Sequence, residues 1–253
     1  MRTGFAGSVV AGVVALANPA LAEGLSPDAK RFVEGNLIGT FYHEMGHALI
    51  DVLQLPVLGQ EEDAADTLAV VLIHDLWEAE DAEWLGRATA DYYYYTVDWS
   101  GDAADETEWW GVHGPDEQRY YTHVCLFYGT DPERLAELAT EYELPEDRAE
   151  GCSEEFRLAA ESWGAFLDEI TLAEGDAPAQ GLTLDARKTA PYYALFAEEV
   201  RVWNETFALP SPITVRIEAC GEANAFYYSA DSSITMCTEY VDWLISIAKE
   251  ADL

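Results

Sequence analysis

The feature that most constrains the fold lies near the N-terminal end. A helix with clear start and stop signals carries two histidines four residues apart. Ser26-Pro27-Asp28 combines an N-capping hydroxyl, a proline at the first helical position and an acid in the first turn. Pro56 and Gly59 stop it. The helix is expected to run to about Leu53, with Phe32, Leu37, Phe41 and Leu49 among its apolar positions. Inside it stands His43-Glu44-Met45-Gly46-His47, an HExxH segment. Residues four apart stack on one helix face, so both imidazoles can grip one Zn²⁺. Glu44 then sits within reach of a metal-bound water, as the general base of a zinc hydrolase.

Composition narrows the setting. The 253-residue chain is 49% hydrophobic, enough for one large domain or two small ones, and its net charge of −35 repels nucleic acid and anionic membrane. The first residues have the parts of a secretory signal. Arg2 supplies the charge, Val9 to Ala17 the short apolar run, and Ala20-Leu21-Ala22 the cleavage site. That run is too short to span a bilayer. Residues 1–22 are expected to be removed, leaving a single domain over 23–253, secreted or periplasmic and without stable membrane insertion. Four cysteines, Cys125, Cys152, Cys220 and Cys237, suit an oxidising compartment. Three pairings are open. Cys220 and Cys237 bracket a predicted hairpin and Cys125 and Cys152 a predicted helix, which favours sequential disulfides. The absence of C-x-x-C spacing argues against a cysteine metal site.

Further elements follow from periodicity and punctuation. Helices are expected from Glu61 to about Trp77, and from Ala82 to Tyr95. The run Tyr92-Tyr93-Tyr94-Tyr95 reads as core and helix surface rather than a binding platform. Residues 98–118 read as a loop, Arg119 to Tyr128 as helical. Asp131-Pro132 starts another helix, and Ser153-Glu154-Glu155 caps one that reaches Ile170. Residues 171–186 read as a connector and the best internal boundary. A helix over 191–207, a strand over Ile213 to Ala219, a hairpin of Ala225 to Tyr228 with Ile234 to Cys237, and a helix over Glu239 to Lys249 complete the chain. The predicted class is α+β, predominantly helical, with a small C-terminal sheet.

A catalytic zinc needs a third protein ligand. Glu62 is favoured, because the break at Pro56 to Gly59 lets the second helix fold back. Glu62 also pairs with Asp66 at helical spacing. Asp66 suits the outer-shell role on a ligand histidine. Glu61 and Asp63 remain open as alternative ligands. Small Ala64 and Ala65 allow close approach to the HExxH helix. His113, with Asp116 to orient it, is the leading donor for a developing oxyanion; Tyr120, Tyr121 and His123 are alternatives. Arg119 reads as a structural ion pair before a carboxylate-binding group, and His74 as a satisfied histidine.

His43 to His47 followed by Glu62-Asp63-Ala64-Ala65-Asp66 resembles the gluzincin pattern HExxH…E-x-x-A-D. More closely, the chain resembles a bacterial family of exported metallopeptidases that is carried as a domain of unknown function. The resemblance rests on HEMGHALID (43–51), LPVLGQEEDAAD (55–66), HGPDEQRYYTHVCLFYG (113–129) and CGEANAFYYSADSSITMC (220–237). It implies a zincin-like core, bound Zn²⁺ and a peptide or protein substrate. Asn224-Ala225-Phe226 with Ile234-Thr235-Met236 also resembles a hairpin that edges the active-site cleft in membrane-associated gluzincins of the CAAX-protease type, where it precedes HExxH. A permuted core, its C-terminal hairpin closing beside the metal helix, is expected. Two rival readings remain: an inactive metal-binding or interaction protein on a peptidase scaffold, and a zinc hydrolase acting on an ester or cell-wall amide.

Overall fold

The computed structural model describes residues 24–97, 110–173 and 175–253. The predicted signal segment, and residues 98–109 of the predicted loop, lie outside the described residues.

Helix α1 spans Pro27–Val52 and forms the centre of the molecule. The Ser26 hydroxyl oxygen accepts the Ala29 backbone N–H at 3.0 Å, and Pro27 opens the first turn. Buried residues recur around the whole helix, from Phe32 and Val33 through Leu37, Phe41 and Met45 to Leu49. A helix buried on most faces must be walled in by its neighbours. Helices α2 (Glu61–Leu76) and α3 (Ala79–Thr96) pack directly on it. Glycines permit the approach. A Cβ on Gly46 would lie 2.7 Å from Ala65 Cα, and one on Gly39 would lie 2.6 Å from Thr89 Cγ2.

Helices α4 (Asp116–Thr130), α5 (Ala136–Glu141) and α6 (Glu146–Ile170) follow. A second apolar cluster gathers Tyr120, Val124, Leu138 and Tyr142 there, and the Cys125–Cys152 disulfide ties α4 to α6. The sequence reading placed two of these helix starts wrongly. Asp131-Pro132 opens a turn, with Asp131 Oδ1 accepting the Arg134 N–H, and α5 starts only at Ala136. Helix α6 starts at Glu146 instead of Ser153. Pro145 presets the chain, Glu146 and Asp147 favour the N-terminal dipole, and Gly151 is accommodated within the helix.

The C-terminal third holds β1 (Leu182–Asp185), α7 (Tyr193–Thr206), β2 (Ile213–Glu218), β3 (Ala225–Tyr228), β4 (Ser233–Cys237) and α8 (Thr238–Glu250). The strands form one sheet in the order β1-β2-β4-β3. β1 and β4 run parallel to β2, and β3 runs antiparallel to β4. Strand β1 lies inside the segment expected to be a connector. Its alternation is only four residues long, too short to stand out, and pairing with β2 stabilises it. Asn204 covers its outer edge, accepting the Leu182 N–H at 2.7 Å and donating to the Leu182 carbonyl at 2.9 Å. The second disulfide, Cys220–Cys237, joins the approach to β3 to the end of β4. β3 is the edge strand, and it lies against α1.

Candidate metal centre

Residues His43 and His47 project from one face of α1 towards the first turn of α2. Their Nε2 atoms are 3.2 Å apart, and each is 3.3 Å from Glu62 Oε2. Ligand atoms of these three side chains converge closely enough to hold one metal ion. The opposite ring nitrogens are also engaged. His43 Nδ1 lies 2.7 Å from Asp66 Oδ1, and His47 Nδ1 lies 2.8 Å from Glu61 Oε1. A carboxylate on Nδ1 takes the ring N–H there and leaves the Nε2 lone pair facing inward, the arrangement a metal-ligating histidine needs.

The donor set fits a cation on a second count. Glu62 Oε2 is buried and has no hydrogen bond of good geometry, although three imidazoles crowd it. A buried carboxylate oxygen without a hydrogen bond is costly unless a charge compensates it. Two imidazole nitrogens and one carboxylate oxygen suit Zn²⁺. Burial would raise the Glu62 carboxyl, but His113, His43 and His47 hold it far below the usual range. Burial would lower His43, yet Asp66 and Glu62 outweigh it and raise that ring to about 9.

Glu44 is buried on the same helix, and burial raises its carboxyl despite the opposing pull of His43 and His47. The backbone N–H of Tyr227, on β3, donates to it. The Tyr227 hydroxyl donates to Asp51 Oδ2 at 2.6 Å, so β3 is fastened to α1 at two points about two turns apart. The C-terminal hairpin thus stands beside the HExxH helix. These groups line a cleft of about 1120 Å³, walled by α1, the start of α2, Tyr92 and Tyr93 of α3, residues 112–113, and residues 223–227 and Ser229 around β3.

His113 precedes α4, and its Nε2 lies 2.8 Å from Glu62 Oε2. Asp116 does not orient it as expected; that carboxylate faces Arg119 at 3.8 Å. The reason is electrostatic: Arg119 stands half-buried between Asp66 and Asp116 and draws both. Arg119 donates to Asp66 Oδ2 at 2.9 Å and to Oδ1 at 3.0 Å, a two-pronged ion pair. Its guanidinium lies over the Tyr93 ring, 5.4 Å from the centroid. Asp66 is consequently held far below its ordinary range: burial would raise it, and His43 and Arg119 overcome that.

The alternative oxyanion donors fall elsewhere. The Tyr120 hydroxyl is buried and donates to the Tyr142 carbonyl. His123 reaches the cleft wall but pairs with Thr89 Oγ1 at 2.5 Å, and burial lowers it to about 4, leaving it neutral. Tyr121 packs edge-on against Tyr120. His74 is exposed beside the Phe156 ring. Tyr92 and Tyr93 line the cleft, which corrects their reading as mere core and helix surface; Tyr94 and Tyr95 are exposed. Sequence reasoning missed the bond from Glu61 to His47 and the placement of Tyr240, whose hydroxyl lies 2.9 Å from Thr40 Oγ1 in the cleft wall. No spacing rule points to either, because both depend on how separate helices cross.

Among known proteins, a family model described as "Putative metallopeptidase" matches residues 17–167 and 186–252. No curated protein and no solved structure matches the chain.

Proposed function

The chain belongs to this metallopeptidase family, and on that premise we propose that it is a zinc-dependent peptidase of gluzincin type, exported from the cytoplasm. One observation carries the reading. His43 Nε2, His47 Nε2 and Glu62 Oε2 converge, with a carboxylate behind each imidazole and Glu44 beside them. When bound, zinc supplies Lewis-acid polarisation of the scissile carbonyl and acidifies a water at neutral pH.

The chain's own residues do the rest. Asp66 and Glu61 fix the tautomers and orientations of His43 and His47. Glu44 takes a proton from the attacking water and returns it to the leaving amine. The Tyr227 N–H fixes the carboxylate in place. His113 donates to the carbonyl oxygen as negative charge develops there. Strand β3 offers a sheet edge along which an extended peptide can lie, which favours a peptide over an ester or a cell-wall amide.

Two disulfides support action outside the cytoplasm, and among the described residues no helix is long and apolar enough to cross a membrane. The test is a peptide-library cleavage assay on zinc-loaded wild type and Glu44→Gln. Cleavage by wild type, with a loss of about 10²–10⁴-fold in the variant, is expected for removal of a general base. Equal cleavage by both proteins would remove Glu44 from that role, and no cleavage by either would favour a metal-binding protein without turnover.

A further inference from the structure

The cleft also carries a charge pattern that bears on which peptides it takes. This step rests on the peptidase reading. Asp51 lies four residues beyond His47 on α1, about 6 Å along the helix axis, and faces the same cleft. Its Oδ2 accepts the Tyr227 hydroxyl at 2.6 Å. That bond fixes the carboxylate between a helix and the edge strand. No cation among the described residues pairs with Asp51, and of the 13 Lys and Arg residues only Arg2 lies outside them. Histidines apart, Arg119 is the one base lining the cleft among the described residues, and Asp66 engages it through two hydrogen bonds. The lining carboxylates are Glu44, Asp51, Glu61, Glu62 and Asp66. A divalent ion at the centre together with Arg119 would not balance them.

Two consequences follow. Among the described residues no free cation waits in this cleft for a substrate carboxylate, so the end of a peptide carrying its C-terminal carboxylate is disfavoured. A fixed, unneutralised carboxylate instead waits close to the reacting bond. An extended peptide advances about 3.3 Å per residue. Measured from midway between His43 and His47, Asp51 is about 9 Å along the axis, so it lies within about three residues of the bond over the metal centre. We propose that Asp51, held by Tyr227, selects peptides that present an alkylammonium or guanidinium group within about three residues of the scissile bond. The net charge of −35 adds a long-range attraction for such peptides.

The measurement is peptide binding, in a Glu44→Gln background so that nothing is cut. Four peptides of one sequence are compared by calorimetry on the zinc-loaded protein. Three are blocked at both ends and carry lysine, norleucine or glutamate at one position; the fourth carries norleucine with a free amino terminus. Lysine should bind about tenfold more tightly than norleucine, as a charge-assisted hydrogen bond allows, and glutamate more weakly still. Tight binding of only the free-amine peptide would assign the subsite to a chain terminus instead of a side chain. Asp51→Asn keeps an acceptor for Tyr227 and should bring lysine and norleucine within twofold. Tyr227→Phe, which frees the carboxylate without removing it, should cost two- to threefold of the preference. Equal binding of lysine and norleucine with Asp51 intact, or an undiminished preference in Asp51→Asn, would overturn the proposal. Hydrolysis of the norleucine peptide by the native protein is scored separately. It reports on the peptidase reading alone, so the two can fail independently.

Discussion

Replacing Arg119 with methionine tests how the metal centre is braced. Arg119 and Asp66 have side chains only 18% and 23% exposed, and two hydrogen bonds of 2.9 and 3.0 Å join them. Methionine fills much of the space but leaves Asp66 with its charge in a poorly solvated place. Removing one partner of a buried pair costs about 3–5 kcal/mol, and the residual exposure here points to the lower end, about 3 kcal/mol. Asp66→Asn removes the charge that needs compensation. The double variant should therefore be less destabilised than the sum of the singles, by about 1–3 kcal/mol. Urea unfolding of the metal-free proteins at neutral pH reads these values. Because Asp66 also orients His43, Arg119→Met should weaken zinc binding about 10–100-fold in competition with a chelator. A stability loss below about 0.5 kcal/mol together with zinc affinity within twofold of wild type would refute the bracing argument.

Three further outcomes follow from the packing. Glu199 is buried, with the Tyr42 hydroxyl donating to it at 2.7 Å, and burial raises its carboxyl from 4.5 to about 7. Its folded-state affinity for a proton exceeds the unfolded one, so this stabilisation is complete below about pH 4.5 and is lost as pH rises towards 7. The change amounts to about 3 kcal/mol, and Glu199→Gln should flatten that part of the stability–pH curve of the metal-free protein. Gly46→Ala places a methyl 2.7 Å from Ala65 Cα, so it should destabilise by about 1–3 kcal/mol and weaken zinc binding as α2 is pushed away. Replacing Cys220 and Cys237 with serine should cost about 2–4 kcal/mol in urea unfolding, by removing the link between the approach to β3 and the end of β4.

Local signals made α1 legible. Ser26, Pro27 and the stop at Pro56 to Gly59 are short-range chemistry, and the four-residue histidine spacing is helix geometry. The neighbouring acids were another matter. Glu61, Glu62 and Asp63 follow one another at the start of α2, and any of them could face the histidines until the crossing of α1 and α2 is known. In the structure Glu62 points to the Nε2 atoms, Glu61 to the back of His47, and Asp63 is exposed. Arg119 was visible as a rare base, but its partner is 53 residues away. Strand β1 was hidden because four residues carry little alternation and its pairing partner lies beyond a whole helix. Tyr92 and Tyr93 looked like core because aromatic residues fill cores and line clefts with the same composition.

The central claim is that one zinc ion is held by His43, His47 and Glu62. Anomalous diffraction at the zinc edge, on crystals of the zinc-loaded protein, tests it most directly. A single strong peak per chain is expected, about 2.0–2.2 Å from His43 Nε2, His47 Nε2 and a Glu62 carboxylate oxygen. A peak bound by other residues, or none at these three, would contradict it.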